Sequence, residues 1–422
     1  MFIRAFQVPE VRRRLLVTLL VITLFRLGQT VPLPGVDSTA LAATDPATGQ
    51  LLGLLDLLSG GGLAKLSVLA LGVLPVIAAH YVVGLGGLLI PGLRALAEAD
   101  QAAHARLARS TRCVAVLVSA ALATVVVRMT ADGRPPLAGT STAAADASVL
   151  YGTGALAQIT MVVCMTGGTA VVMWLSAIIT DRGLGEGLSI LLLAQVAAVF
   201  PGQVWNAARK RGDGLAGMSA PLVLLVALAL VTALFVTVRQ SERRVPVQYA
   251  KRMIGRRSYG GSAAYVPVRG GQGGFAVMIP ASLLFLLPAP PAPWILAAYV
   301  LLVFAYAFLR GVIAFDADEV AGDLQRGGGF VPGIRQGRQT VEYLAYIRVR
   351  IVLAAALGMT VVALIPVAAL ALPGLYTDNA VLGVTALLIV ARVVLGTALP
   401  LTRQIESWLL KPGYFGRVSS VR

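Results

Sequence analysis

Charge is what this chain has least of. Of its 422 residues 13% are charged and 57% are hydrophobic, whereas an ordinary soluble chain is about 25% charged. A soluble fold of that length divides into two or three domains with polar surfaces, and there is too little polar material here to cover them. A soluble globular protein is excluded. Cysteine is nearly absent as well. Cys113 and Cys164 fall in apolar helical runs with no second Cys or His at ligand spacing, and they read as buried small hydrophobes with no redox or metal role. Carboxylates are missing from the apolar runs: all nineteen lie outside the interiors of the spans given below. Ion-coupled transporters and intramembrane enzymes need ionisable groups at membrane depth, where such groups are expensive and mark function. That disfavours both ion-coupled transport and catalysis. No Walker loop, HExxH, GxSxG or Cys-pair metal spacing occurs, and the glycine clusters at 84–87 and 183–187 lack the strand and helix context of a nucleotide site. No catalytic residue, metal or cofactor is expected.

What is present is apolar length. Mean hydropathy is +0.82, and apolar runs fall at about 15–33, 73–90, 113–129, 151–179, 188–201, 215–238, 275–289, 292–312, 351–371 and 380–400. A helix needs about 20 residues to cross the hydrocarbon, so these runs predict ten transmembrane helices and an all-α polytopic membrane protein. The 45 glycines and the 6% aromatic content fit closely packed spans. Arg12, Arg13 and Arg14 precede the first run with no small-residue cleavage site after it, so that run is expected to be a retained span.

The formal charge of +16 is almost all arginine, since only Lys65, Lys210, Lys251 and Lys411 are lysines. In a membrane protein it reads first as topology. With the N-terminus in the cytoplasm, the loops at about 91–112, 180–187, 239–274 and 313–350 and the C-terminal tail are cytoplasmic. Arg243, Arg244, Lys251, Arg252, Arg256 and Arg257 crowd one of these loops, and Arg326, Arg335 and Arg338 another. The segment 202–214, with Arg209, Lys210 and Arg211, runs against the rule. Two long charged loops on one side point to a binding surface, although solvated loops obeying the same rule would look alike. Ten spans divide into five and five, and an odd number per half inverts the second relative to the first, as in an inverted repeat. The division predicts an N-terminal half at 1–201 and a C-terminal half at 202–422.

The segment Leu51–Ser67 does not fit a span. Its apolar stretch is short, interrupted by Asp56 and Lys65, and ends in Gly60, Gly61 and Gly62, so it reads as a re-entrant or interfacial half-helix with a hinge. The ionisable groups within spans are Arg26, His80 and Arg392. His80 reads as a hydrogen-bonded packing residue, and Arg26, near the outer end, as a snorkelling side chain.

At this point the blocks are recognisable. VPVQYAKRMIGRRSYGGSAAYVP (245–267) resembles the loop between the sixth and seventh helices of the SecY family. FRLGQTVPLPGV (25–36), LSGGGLAKLSVLALGVLPVIAA (58–79), MTGGTAVVMWLSAIITDRGLGEGLSI (165–190), FDADEV (315–320) and GGFVPGIRQGRQTVEYL (328–344) resemble other blocks of it, in family order. The resemblance implies a protein-conducting channel in the bacterial plasma membrane. Two inverted five-helix halves would surround a central hourglass pore with a lateral gate between the second and seventh helices. It implies a pore ring of Val73, Ile77, Leu192, Val196, Ile279 and Ile389, in which the two i, i+4 pairs each place branched aliphatics on one helical face. It implies a plug at about 51–66 that includes Leu54, Leu55, Leu58, Ser59, Gly60 and Gly61. Docking of the SecA motor ATPase or the ribosome would fall to Arg335 and to Arg243, Arg244, Lys251, Arg252, Arg256 and Arg257. Small membrane subunits, SecE and SecG, secretory preproteins and the lipid bilayer complete the implied partners.

The sequence also departs from the family. Its polar Gln and Asn at the gate read here as Gly84 and Gly271, His80 and Tyr81 replace smaller or aliphatic residues, and the tenth helix reads GVTALLI (383–389). These changes imply a diverged member and leave a housekeeping and an accessory copy both open. Glycine at both gate positions predicts close backbone packing of the second and seventh spans. The rival function from another class is a ten-helix secondary transporter of a small solute.

Overall fold

An apolar run with no water at hand must satisfy its N–H and C=O groups within the segment, so it folds as a helix. The computed structural model describes residues 9–37, 50–89, 101–132, 154–209, 215–249, 252–254, 257–259, 263–270, 293–313, 315–371 and 384–409. Its helices are α1 (Pro9–Gly28), α2 (Gln50–Ser59), α3 (Leu74–Leu89), α4 (Gln101–Ala131), α5 (Ala155–Arg182), α6 (Gly187–Arg209), α7 (Leu215–Gln240), α8 (Pro293–Ile313), α9 (Ala317–Arg326), α10 (Arg338–Ala371) and α11 (Val384–Leu409). α1 and α8 begin on proline, whose missing N–H is one the first turn leaves unpaired anyway. Stretches long and apolar enough to cross a membrane are Arg109–Ala131, Ala155–Arg182, Gly187–Asn206 and Arg338–Ala369, with shorter apolar helices at Leu222–Val238, Trp294–Leu309 and Val384–Thr397. The run at 275–289 lies outside the described residues, and each of the other expected spans falls on a helix. α10 begins well before its apolar run, because its first turns are stabilised by polar pairs. Arg338 and Glu342 form an i, i+4 ion pair at 3.1 Å, and the Arg350 guanidinium lies 4.2 Å from the centre of the Tyr346 ring.

The chain forms two compact units. One comprises Met1–Gly217, Thr377–Leu382 and Val393–Arg422, the other Met218–Tyr376 and Gly383–Arg392. In the first unit α1, α5 and α6 pack around Val21, Phe25, Val172, Leu175, Ile179 and Leu191. The turn between α5 and α6, at the second glycine cluster, is clasped from both ends of the chain. Thr18 Oγ1 accepts from Leu184 N at 3.0 Å, and Gln404 Oε1 of α11 accepts from Gly185 N at 2.8 Å. The strand-like segment after α1 pairs with the one that follows α2, through Leu33 N to Leu66 O at 3.0 Å and Val68 N to Val31 O at 2.9 Å.

In the second unit α8 packs along α10, where the buried Tyr299 hydroxyl donates to Ala363 O at 3.1 Å. The two long charged loops expected to form a binding surface fold together. β1 (Glu242–Tyr249) pairs antiparallel with β4 (Ala263–Arg269) from Glu242 opposite Arg269 to Gln248 opposite Ala263. β2 (Arg252–Ile254) and β3 (Arg257–Tyr259) form a small hairpin between them. β5 (Gly329–Phe330), from the other loop, adds to the free edge of β1. α9 covers this sheet, its first turn capped by the Asp316 carboxylate, which accepts from Asp318 N at 2.9 Å and Glu319 N at 3.4 Å. Val245, Val247, Val268, Phe315, Ala321, Leu324 and Leu344 make its core. The membrane helices are thus accompanied by a small β-sheet that the all-helical expectation did not contain. Leu344 is fully buried there, and Leu344→Ala is expected to cost about 2–5 kcal/mol and to open the β1–β4 hairpin to limited proteolysis at unchanged membrane-helix content.

Candidate functional site

α2 is too short to cross a membrane, and its seat in the first unit is made by both packing and polar contacts. Leu57 is 0% exposed and Leu54 6%, and Leu55 packs against the cluster of Leu63, Leu66, Ala123, Val126 and Met165. At its C-terminal end the side chains of α1 and α6 meet its carbonyls. Gln29 Nε2 donates to Ser59 O at 2.9 Å and Arg26 Nη1 to Gly60 O at 2.8 Å. Gln195, 0% exposed, takes the amide orientation that satisfies both of its ends. Nε2 then donates to Leu58 O at 3.2 Å, while Oε1 accepts from Val73 N and from Gln29 Nε2, each at 3.3 Å. About two turns further along α6, Gln203 Nε2 donates to Gly53 O at 3.0 Å and to Asp56 Oδ2 at 3.4 Å. Burial pushes the Asp56 carboxyl above its ordinary range, and the Gln203 bond opposes part of that rise.

The backbone is shaped for this closure. Gly60 has φ of +69° and Gly72 of +52°; a Cβ at Gly60 would come within 2.8 Å of the Gln195 side chain, and one at Gly72 would overlap the Gln195 amide. Only glycine takes both the positive φ and the contact without strain.

The residues expected to form the ring fall in three groups. Val73 and Val196 are buried in the first unit, and Ile77 and Leu192 are half-buried there. Val73 and Ile77 join the packing of α1, α5 and α6. Ile389 is buried on α11, while Ile279 lies outside the described residues. Of the glycines expected at the gate, Gly271 also lies outside them, and Gly84 lies on α3 without described surroundings, so the packing expected between them lies outside the described residues too.

The arginines expected to dock a partner gather on the sheet-and-helix module. Arg243 and Arg244 are exposed at the start of β1. Arg244 Nε donates to Glu242 at 3.0 Å, and its guanidinium lies 4.8 Å from the centre of the Tyr265 ring on β4. Arg252 lies on β2 and Arg257 on β3, whereas Lys251 and Arg256 are outside the described residues. Arg335 is exposed in the turn between β5 and α10. This turn has its own framework. Ile334 N donates to Val331 O at 3.1 Å, Thr340 Oγ1 to Arg335 O at 2.9 Å, and Gln336 Nε2 to Gly329 O at 3.2 Å, while Ile334 packs on the module core.

Three sequence expectations are corrected. Arg26 does not snorkel; it is half-buried and bonded to Gln29 and to the Gly60 carbonyl just past the end of α2. Cys113 is exposed, since α4 packs on α3 and α5 through its other face, whereas Cys164 on α5 is half-buried and packs against the cluster of Met161 and Met165. His80 does bond, through Nδ1 to Val76 O of its own helix at 2.9 Å, but it is exposed rather than packed. Gln29, Gln195 and Gln203 are the residues that a search for ionisable groups passes over. Their signal was available, since Gln29 and Gln195 are neutral amides interrupting apolar runs and Gln203 closely follows one.

A family model described as SecY matches residues 67–398. The chain is similar to the protein translocase subunit SecY of Streptomyces coelicolor, 39% identical over 442 residues covering 98% of each chain. It is similar also to that of Mycobacterium tuberculosis, 33% identical over 449 residues with the same coverage. Among solved structures it resembles a protein-conducting channel, with a TM-score of 0.56 at 14% identity over 93% of this chain and 92% of that one. It also resembles Sec61 in the canine ribosome–channel complex from the endoplasmic reticulum, with a TM-score of 0.51, the same identity and the same coverage. The likeness to solved channels shows the fold, and the near full-length identity to the bacterial subunits goes further: this chain belongs to the SecY family.

Proposed function

We infer that the chain is the protein-conducting channel subunit of a bacterial translocase, passing unfolded secretory chains across the plasma membrane and releasing transmembrane segments sideways into lipid. The observation that carries this is the seat of α2: a helix too short to span, packed among spanning helices and bonded to α6 beside Leu192 and Val196. A stopper needs this kind of seat, and a small-solute transporter has no use for it. The comparisons give the transporter no support. In this reading residues 1–201 and 202–422 are the two inverted halves, α2 and the turn after it are the plug, and Val73, Ile77, Leu192, Val196, Ile279 and Ile389 form the ring. Gly84 and Gly271 belong to the lateral gate. Both termini and the sheet-and-helix module face the cytoplasm, where Arg243, Arg244, Lys251, Arg252, Arg256, Arg257 and Arg335 dock the SecA motor or the ribosome. SecE and SecG are the companion subunits. The chain itself does no chemistry; a partner ATPase or the ribosome supplies the energy.

The test is crosslinking. With Cys113 and Cys164 replaced by serine, a stalled secretory chain is expected to crosslink to cysteines placed at positions 77 and 192. A chain that never crosslinks there, or ion-driven uptake of a labelled small solute into proteoliposomes, would overturn the reading.

A further inference from the structure

A helix leaves its last carbonyls without partners inside the helix, and away from water each must find a donor elsewhere. The end of α2 shows where they go. Two are served by the following backbone alone, Asp56 O by Gly61 N at 3.1 Å and Leu57 O by Gly60 N at 3.4 Å, and Ser59 O has a local partner too, Gly62 N at 3.4 Å. The next three carbonyls receive side-chain donors from spanning helices: Leu58 O from Gln195 on α6, Ser59 O from Gln29 just past α1, and Gly60 O from Arg26 on α1. Arg26 places a full positive charge at the negative end of the α2 dipole. The donors are also tied to one another. Arg26 Nη1 donates to Gln29 Oε1, and Gln195 Oε1 receives both Gln29 Nε2 and Val73 N.

We propose that Arg26, Gln29 and Gln195 form a polar latch that holds the last turn of α2 against α1 and α6 and so keeps the resting channel sealed; this rests on reading α2 as the plug. The latch grips main-chain carbonyls, so its strength does not depend on which side chains α2 carries. It also accounts for a cation in the membrane run of α1, where a charge is expensive unless it has a task. Gln195 lies next to Val196 and one turn after Leu192, which puts the latch and two ring residues on the same stretch of α6. Loss of the latch is therefore felt where the seal is made. These three side chains are positioning residues, acting on the passage through α2.

The test uses the full chain assembled with its companion membrane subunits in planar bilayers, reading ion leak without substrate. Gln195→Leu and Gln29→Glu, close in size to the native residues, are each expected to raise the leak about tenfold, the scale of one or two lost hydrogen bonds, and Arg26→Met by more. Arg26→Lys, which keeps a cationic donor, restores most of the seal, a rescue that a general packing role for the side chain does not predict. If Arg26→Met does not accumulate in the membrane, Gln29→Glu and Gln195→Leu carry the test. A variant lacking residues 50–59 separates the two levels of the argument. If it leaks while the folded single-site variants stay as tight as the parent, the latch is overturned and the plug stands. If it does not leak either, the plug reading falls and takes the latch with it.

Discussion

Replacing Ile77 and Leu192 together by serine is expected to raise ion conductance of the resting channel by tenfold or more, with the protein still folded and inserted. A ring of aliphatic side chains seals by making a wetted constriction unfavourable, with no fixed charge to hold an ion or reject a chain. Each methylene withdrawn from such a surface lowers that cost by about 0.8 kcal/mol, and a tenfold change is worth about 1.4 kcal/mol. Loss of about two methylenes therefore suffices, and each Ile or Leu to Ser change removes more than that. The choice of positions follows from burial. Val73 and Val196 are packed inside the first unit, so truncating them also opens cavities and confuses leak with instability. Ile77 and Leu192 are half-buried and have side-chain surface to spare for a seal. Conductance in planar bilayers, read beside membrane yield and protease pattern, checks the point. An unchanged leak in a folded double variant would remove Ile77 and Leu192 from the ring.

The spans were legible because the membrane imposes a single periodless rule, a run of apolar residues of sufficient length, and α4, α5, α6 and α10 obey it in full, with α7, α8 and α11 as shorter apolar helices. The module was not legible in the same way. Its first strand does carry the alternation of a half-buried strand, with Val245 and Val247 buried between exposed Arg244, Pro246 and Gln248. The signal is short and lies within a stretch whose arginines and glycines dominate any average. β5 is two residues long and exists only because the edge of β1 is there to receive it, so no local pattern announces it. Asp316 followed by Asp318 and Glu319 is a recognisable helix start, yet α9 is polar on one side and short, and by itself reads as loop.

At the candidate site, spacing and charge found the right places with the wrong reasons. The interrupted segment at 51–67 was recognisable as a half-helix from its length, and Arg26 stood out as an ionisable group in a span. What joins them is a main-chain carbonyl, and a sequence carries no mark of which carbonyls a fold leaves unpaired. Gln195 shows the same limit. Its side chain reaches the end of α2 and the start of α3 at once, a role set by three segments distant in sequence.

Reversing one charge in the module should stop transport while leaving the protein intact. Arg335→Glu is expected to lower ATP-driven translocation of a secretory chain into vesicles to less than about a tenth of the parent rate, with membrane yield near normal; a surface change of this kind typically costs within about 0.5 kcal/mol of stability. The asymmetry follows from how the turn is built. Gly333 and Gly337 take φ of +83° and +97°, Thr340 holds the Arg335 carbonyl, Gln336 reaches Gly329, and Ile334 anchors in the core. The Arg335 side chain takes no part in that framework; it is exposed, with no ion pair among the described residues. Its guanidinium is thus free to pair with a carboxylate or phosphate of a partner through two parallel hydrogen bonds. Glutamate at that point replaces attraction by repulsion, and Arg335→Lys, which keeps the charge without the planar fork, is expected to fall between the two. Raised salt should weaken docking of the parent, since exposed pairs are screened over about 10 Å at 0.1 M. Translocation that persists in Arg335→Glu would show that the motor docks elsewhere. A collapse in yield would show instead that the turn needs the arginine for its fold, and either result removes Arg335 from the docking surface.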